Sequence, residues 1–126
     1  MTVWLTREML LAVHDEQIAE HGGAPDIQDM SLLESALASQ LNRAAWSEAD
    51  LAELGAIYGL AIARNHSFID GNQRTAFVVV EMFLVLNGLE LNVSDAEATV
   101  MMLAMAAGTV GDDTSIDWVR GAAAAQ

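Results

Sequence analysis

Arg74-Thr75-Ala76-Phe77-Val78-Val79-Val80-Glu81-Met82-Phe83-Leu84-Val85-Leu86 carries a single charge, Glu81, after its first residue. A helix that is apolar on most sides belongs at the centre of a bundle, where neighbours cover it all round. Asn87-Gly88 follows, a pair suited to the left-handed turn that ends a helix. Upstream of the polar stretch 66–73, Ser47-Glu48-Ala49-Asp50 opens a third helix to about Asn65, with Leu51, Leu54, Ile57, Tyr58, Ala61 and Ile62 facing the core. Further out, Thr6 caps a first helix to about Glu20, and Gly22-Gly23-Ala24-Pro25 breaks it. Ser31-Leu32-Leu33-Glu34 has the form of a capping box, which predicts a short second helix through about Ser39. Downstream, Leu89 to Val93 alternates like a short extended stretch, Ser94-Asp95-Ala96-Glu97 caps a fifth helix, and Thr114-Ser115-Ile116-Asp117 starts a last one through about Ala124. The pattern predicts an all-α compact bundle of about six helices in one domain, residues 1–126, with a polar loop leading into the central helix.

Composition limits what such a bundle does. The chain has 126 residues, 53% hydrophobic, with no cysteine, so neither a disordered chain nor a disulfide or Cys-based zinc framework is expected. Its net charge is −13, and all five basic residues are arginines: Arg7, Arg43, Arg64, Arg74 and Arg120. Nucleic-acid binders draw their affinity from many cations, so no direct contact with DNA or RNA is expected. No apolar run approaches the roughly 18 residues of a membrane span, and Met1 to Glu8 turns polar too soon for a secretory signal. The expectation is a soluble, cytoplasmic domain without a membrane partner.

The polar stretch His66-Ser67-Phe68-Ile69-Asp70-Gly71-Asn72-Gln73-Arg74 carries the chemistry. The first N–H groups of a helix lack internal partners and point outward at the positive end of its dipole. Gly71 permits positive φ and close approach of a ligand, so loop and helix start together form an anion nest. Arg74 can fork onto phosphate oxygens. Asp70 is a hard ligand for Mg²⁺, which usually binds through one or two carboxylates plus substrate phosphates. His66 brings an imidazole, which can take a proton from an attacking hydroxyl. Phe68, apolar in a polar loop, reads as an anchor to the core. The parts fit metal-assisted phosphoryl or nucleotidyl transfer. Taken singly, Asp70 and Asn72 also suit a turn or an N-cap in an ordinary connection.

Six positions of the stretch, His66, Phe68, Asp70, Gly71, Asn72 and Arg74, match the signature of the Fic/Doc superfamily, which the chain resembles. Similarity to its death-on-curing (Doc) branch extends through His14-Asp15, His21-Gly22-Gly23, Ser31 to Ala36, Ala63-Arg64-Asn65 and Leu86-Asn87-Gly88. The resemblance implies that His66 is the catalytic base, that Asp70 holds Mg²⁺, and that Gly71, Asn72 and Arg74 bind nucleotide phosphates, with Gln73 and Arg64 beside them. It implies a toxin of a toxin–antitoxin pair, a protein kinase that uses ATP on a hydroxyl of a translation factor, elongation factor Tu. An antitoxin would insert a C-terminal segment into a groove of the toxin.

Gln73 departs from the family pattern, which has Gly in AMP-transferring members and Lys in the kinases. A side chain there crowds the AMP-transfer pose, and a neutral amide forgoes part of the contact a lysine makes. Phe77 stands where many AMP-transferring members have a second arginine. The expectation is therefore a kinase, with AMP transfer at the same site or a catalytically weak, antitoxin-binding homologue as alternatives. No self-inhibitory Ser/Thr-x-x-x-Glu-Gly/Asn helix is evident. His14 and His21 lack a third ligand at suitable spacing, and His14 is expected to make a structural hydrogen bond. Trp4, Trp46 and Trp118 read as packing residues, as do Met101, Met102 and Met105.

Overall fold

The computed structural model describes residues 2–46 and 49–126, the stretch 39–46 by its backbone alone. The expectations attached to Ser47 and Glu48, and to the side chains of Arg43 and Trp46, lie outside the described residues. Helices α1 (Arg7–His21), α2 (Met30–Trp46), α3 (Leu51–Asn65), α4 (Asn72–Leu86), α5 (Asp95–Ala107) and α6 (Asp112–Ala122) form the bundle. Two short strands, β1 (Leu89–Leu91) and β2 (Ala123–Ala125), make one antiparallel ribbon with Leu89 opposite Ala125.

Local chemistry accounts for most of the boundaries. Thr6, Asp50 and Ser94 cap α1, α3 and α5 by accepting from Met9 N, Glu53 N and Glu97 N. The expected cap at Ser31 is corrected. Asp29 accepts from Ser31 N at 2.9 Å and Leu32 N at 3.3 Å, so α2 starts earlier, at Met30. It also runs to Trp46 rather than Ser39, through a stretch without Gly or Pro to stop it. Helix α6 starts at Asp112, since two aspartates in the first turn suit its dipole. It ends at Ala122 and not Ala124, because the next three alanines pair with β1 and satisfy its backbone. Asn87 ends α4 and ties down the N-terminal segment, accepting from Val3 N at 2.7 Å.

Helix α4 shares the centre rather than holding it alone. α3 packs against α2, α4, α5 and α6, and α4 packs against α1, α3 and α5. The two central helices cross closely at Gly59, where a Cβ would stand 2.7 Å from Val80 Cγ2. Tyr58 and Phe83 meet there too, with ring centroids 5.0 Å apart, both fully buried. Burying a side chain such as Phe83 contributes about 2–3 kcal/mol. The apolar surface of α4 exceeds what the core absorbs. Val85 and Leu86 are exposed, and half-buried Phe77 and Val78 line a groove of about 560 Å³ between α1, α4 and α5. Among the described residues no helix is long and apolar enough to cross a membrane.

Candidate functional site

The stretch His66 to Arg74 forms the turn between the two central helices. His66 caps α3 in the left-handed conformation (φ 51°, ψ 45°), the one such non-glycine residue among those described. That conformation costs about 1–3 kcal/mol and persists only where neighbours over-determine it. They do so here. Ser67 O accepts from Gln28 N at 2.8 Å and Asp29 N at 3.2 Å, Ile69 N donates to Asp26 O, and Phe68 bridges to Ile27. The reversal at His66 sends Ser67 and Phe68 into the core and leaves the His66 ring exposed.

Phe68 is the anchor its apolarity suggested, fully buried and stacked on the His14 ring with centroids 3.7 Å apart. His14 Nε2 lies 2.8 Å from Asp70 O. A carbonyl only accepts, so the Nε2 proton is present, and the expected structural bond of His14 is to the loop. Asn72 closes the turn from the other side, its Oδ1 accepting from Phe68 N and its Nδ2 donating to Phe68 O. Its side chain is thereby occupied inside the loop. Gly71 is left-handed (φ 81°), and a Cβ there would approach Ile18 Cδ1 to 3.4 Å.

These contacts leave three chemical groups open. Helix α4 starts at Asn72, two residues earlier than its apolar periodicity suggests, and no side chain caps it. The N–H groups of Asn72, Gln73 and Arg74 thus emerge at the positive end of the dipole. Asp70 Oδ2 accepts from Ala24 N at 2.8 Å, while Oδ1 has no partner among the described residues. Arg74 makes one long bond, Nη2 to Gly22 O at 3.4 Å, and forms no ion pair with a carboxylate among the described residues. Arg7, Arg64 and Arg120 do pair, with Glu34, Asp112 and Asp50. In a chain of net charge −13, an arginine beside an uncapped helix start and without an acidic partner is shaped for an anion from outside.

Arg64 lies elsewhere. Its Nε donates to Met105 O, its Nη2 to Val110 O and its Nη1 to Asp112 at 2.7 Å. The guanidinium clamps the turn between α5 and α6 and makes no hydrogen bond to the loop among the described residues. Gln73 and Arg74 are exposed and line the groove together with Gln17, Glu20 and His21 of α1. Gln17 carried no signal in the sequence beyond lying between His14 and His21 on one face of α1. His21 sits 3.6 Å from Glu20.

The donor set bears on the metal. Among the described residues no three His, Asp or Glu gather into one cluster. One free carboxylate oxygen at Asp70 beside a phosphate nest suits Mg²⁺ that arrives with a nucleotide, whose phosphates supply further ligands. The residues fit the ion on those terms.

A family model described as the Fic/DOC family matches residues 4–84, and the chain belongs to that family. Its relatives put it in the Doc branch. It is 32% identical over 117 residues to "Protein kinase doc" of Escherichia phage P1, covering 92% of this chain and 92% of that protein. It is also 33% identical over 93 residues to "Toxin Doc" of Mycolicibacterium smegmatis, covering 72% of this chain and 69% of that protein.

Proposed function

We propose that this protein is the toxin of a toxin–antitoxin pair and acts as a cytoplasmic, Mg-ATP-dependent protein kinase on a hydroxyl of a translation factor, elongation factor Tu. One observation carries the reading: Arg74, without a carboxylate partner among the described residues, stands at the uncapped start of α4 beside the exposed His66. The two relatives, one named a kinase and the other a toxin, agree with it.

In this mechanism the N–H groups of Asn72, Gln73 and Arg74 and the Arg74 guanidinium hold the transferring phosphate and meet the charge that develops on it. Asp70 would hold Mg²⁺ through Oδ1; that ion, when bound, offsets phosphate charge. His66 Nε2 or Nδ1 accepts the proton of the target hydroxyl as its oxygen attacks the γ-phosphorus. The bond from that phosphorus to the bridging oxygen breaks, ADP leaves, and the imidazolium later passes its proton to water. His14, Phe68 and Asn72 touch no substrate and act by holding the loop. Arg64 belongs to the scaffold and not to the nucleotide set. Gln73 lines the groove as a neutral amide in place of the lysine of kinase members, so Gln73→Lys should raise transfer.

The test is expression in a bacterial host without an antitoxin, followed by the intact mass of elongation factor Tu from arrested cells. One added phosphoryl group, absent with His66→Ala and Arg74→Ala, is the expected result. Growth arrest with unmodified factor overturns the target, and arrest undiminished by His66→Ala overturns the mechanism.

A further inference from the structure

We propose that Gln17 selects the base of the nucleotide: the groove between α1, α4 and α5 takes an adenine, and the Gln17 carboxamide pairs with its amino group and N7. The inference rests on the nucleotide-dependent reading above and extends it from the phosphates to the base. Gln17 is 7% exposed, yet its amide makes no hydrogen bond among the described residues and lines the groove. The amide reaches the groove without a protein partner among those residues, so its donor and its acceptor are both open to a ligand there. A carboxamide presents one donor and one acceptor side by side. That pattern complements the amino donor and N7 acceptor of adenine, whereas guanine shows two acceptors on the same edge.

The rest of the groove agrees with a nucleotide laid along it. Its volume of about 560 Å³ falls in the range of about 300–1,000 Å³ usual for small-molecule sites. Arg74 lines it, while Phe77 and Met102 supply apolar walls for a flat ring. Glu20 and Asp95 also line it. Arg74 is the cation among these lining residues and takes the phosphates, which leaves the Gln17 wall for the base.

Competition binding with Mg-ATP, Mg-GTP, 7-deaza-ATP and inorganic tripolyphosphate tests this on the parent, Gln17→Leu and Gln17→Glu, with thermal melts reporting folding. The parent should bind ATP about tenfold tighter than GTP or the 7-deaza analogue, which lacks the N7 acceptor. Gln17→Leu should lose about that factor for ATP and none for tripolyphosphate, because only the base contact is gone. Gln17→Glu, which keeps the acceptor but not the donor, should bind ATP and the 7-deaza analogue equally. Parent protein that binds all three nucleotides alike overturns the proposal, as does Gln17→Leu with full ATP affinity, and either leaves the phosphate site standing. Parent protein that binds neither ATP nor tripolyphosphate overturns both readings.

Discussion

His14 offers the sharpest test of how the loop is held. Its ring stacks on Phe68 at 3.7 Å and its Nε2 donates to Asp70 O at 2.8 Å, all in a site 1% exposed. His14→Phe keeps an aromatic ring on Phe68 and removes the donor. The Asp70 carbonyl is then short of a partner, which costs about 1–3 kcal/mol. His14→Gln keeps a donor and removes the ring contact, which is worth about 0.5–1.5 kcal/mol. For a domain of this size, 1 kcal/mol shifts the melting midpoint by about 3–6 °C. Thermal unfolding should therefore place His14→Phe about 3–18 °C below the parent. Phosphoryl transfer should fall further than stability does, because the freed carbonyl loosens Asp70 and Gly71. His14→Phe with parental melting and parental transfer would refute the argument that this bond holds the loop.

Other consequences are as direct. Gly59→Ala puts a methyl 2.7 Å from Val80 Cγ2, and overpacking of about 1–3 kcal/mol exceeds the roughly 1 kcal/mol alanine gains in a helix. Its urea midpoint should drop, and Gly59→Ala with Val80→Ala should be more stable than the two single losses add up to. Arg64→Lys cannot reproduce three bonds to the turn between α5 and α6 and should cost about 2 kcal/mol of stability. Its nucleotide affinity should stay parental, and a loss of affinity with stability intact would return Arg64 to the site. Burial, then the nearby Asp95, raises the Glu81 carboxyl above its ordinary range. The folded state thus favours the protonated form, and this stability is present at acid pH and lost as pH rises through the raised value. Glu81→Gln should melt higher than the parent near neutral pH and close to it near about pH 4.

The helices were legible because Thr6 and Ser94 state their starts locally and the apolar spacing states their faces, whereas α3 takes its cap from Asp50 rather than from the Ser47 that the spacing suggested. Two of the ends that differ have causes that periodicity does not carry, one distant and one local. Ala123–Ala125 is a helix-forming run that pairs with Leu89–Leu91 instead, and Asp29 displaces Ser31 as the cap. The order of His66, Asp70, Gly71 and Arg74 was legible as chemistry, since an imidazole, a carboxylate, a glycine and a guanidinium say what they can do wherever they sit. Their supports were not. The stack of His14 on Phe68, the Asn72 bracket and the pairing of residues 26–29 with the loop join positions far apart in the chain. Arg64 shows the converse case: the resemblance set it beside the phosphates, and the end of α3 turns it to Asp112.

The central claim is that the start of α4 transfers the terminal phosphate of ATP with His66 as the base. Elongation factor Tu incubated with this protein and Mg-ATP labelled at either the γ- or the α-phosphate measures it directly. The account predicts label on the target from the γ-position alone, and none from either position with His66→Ala. Label from the α-position, or γ-label undiminished by His66→Ala, would contradict it.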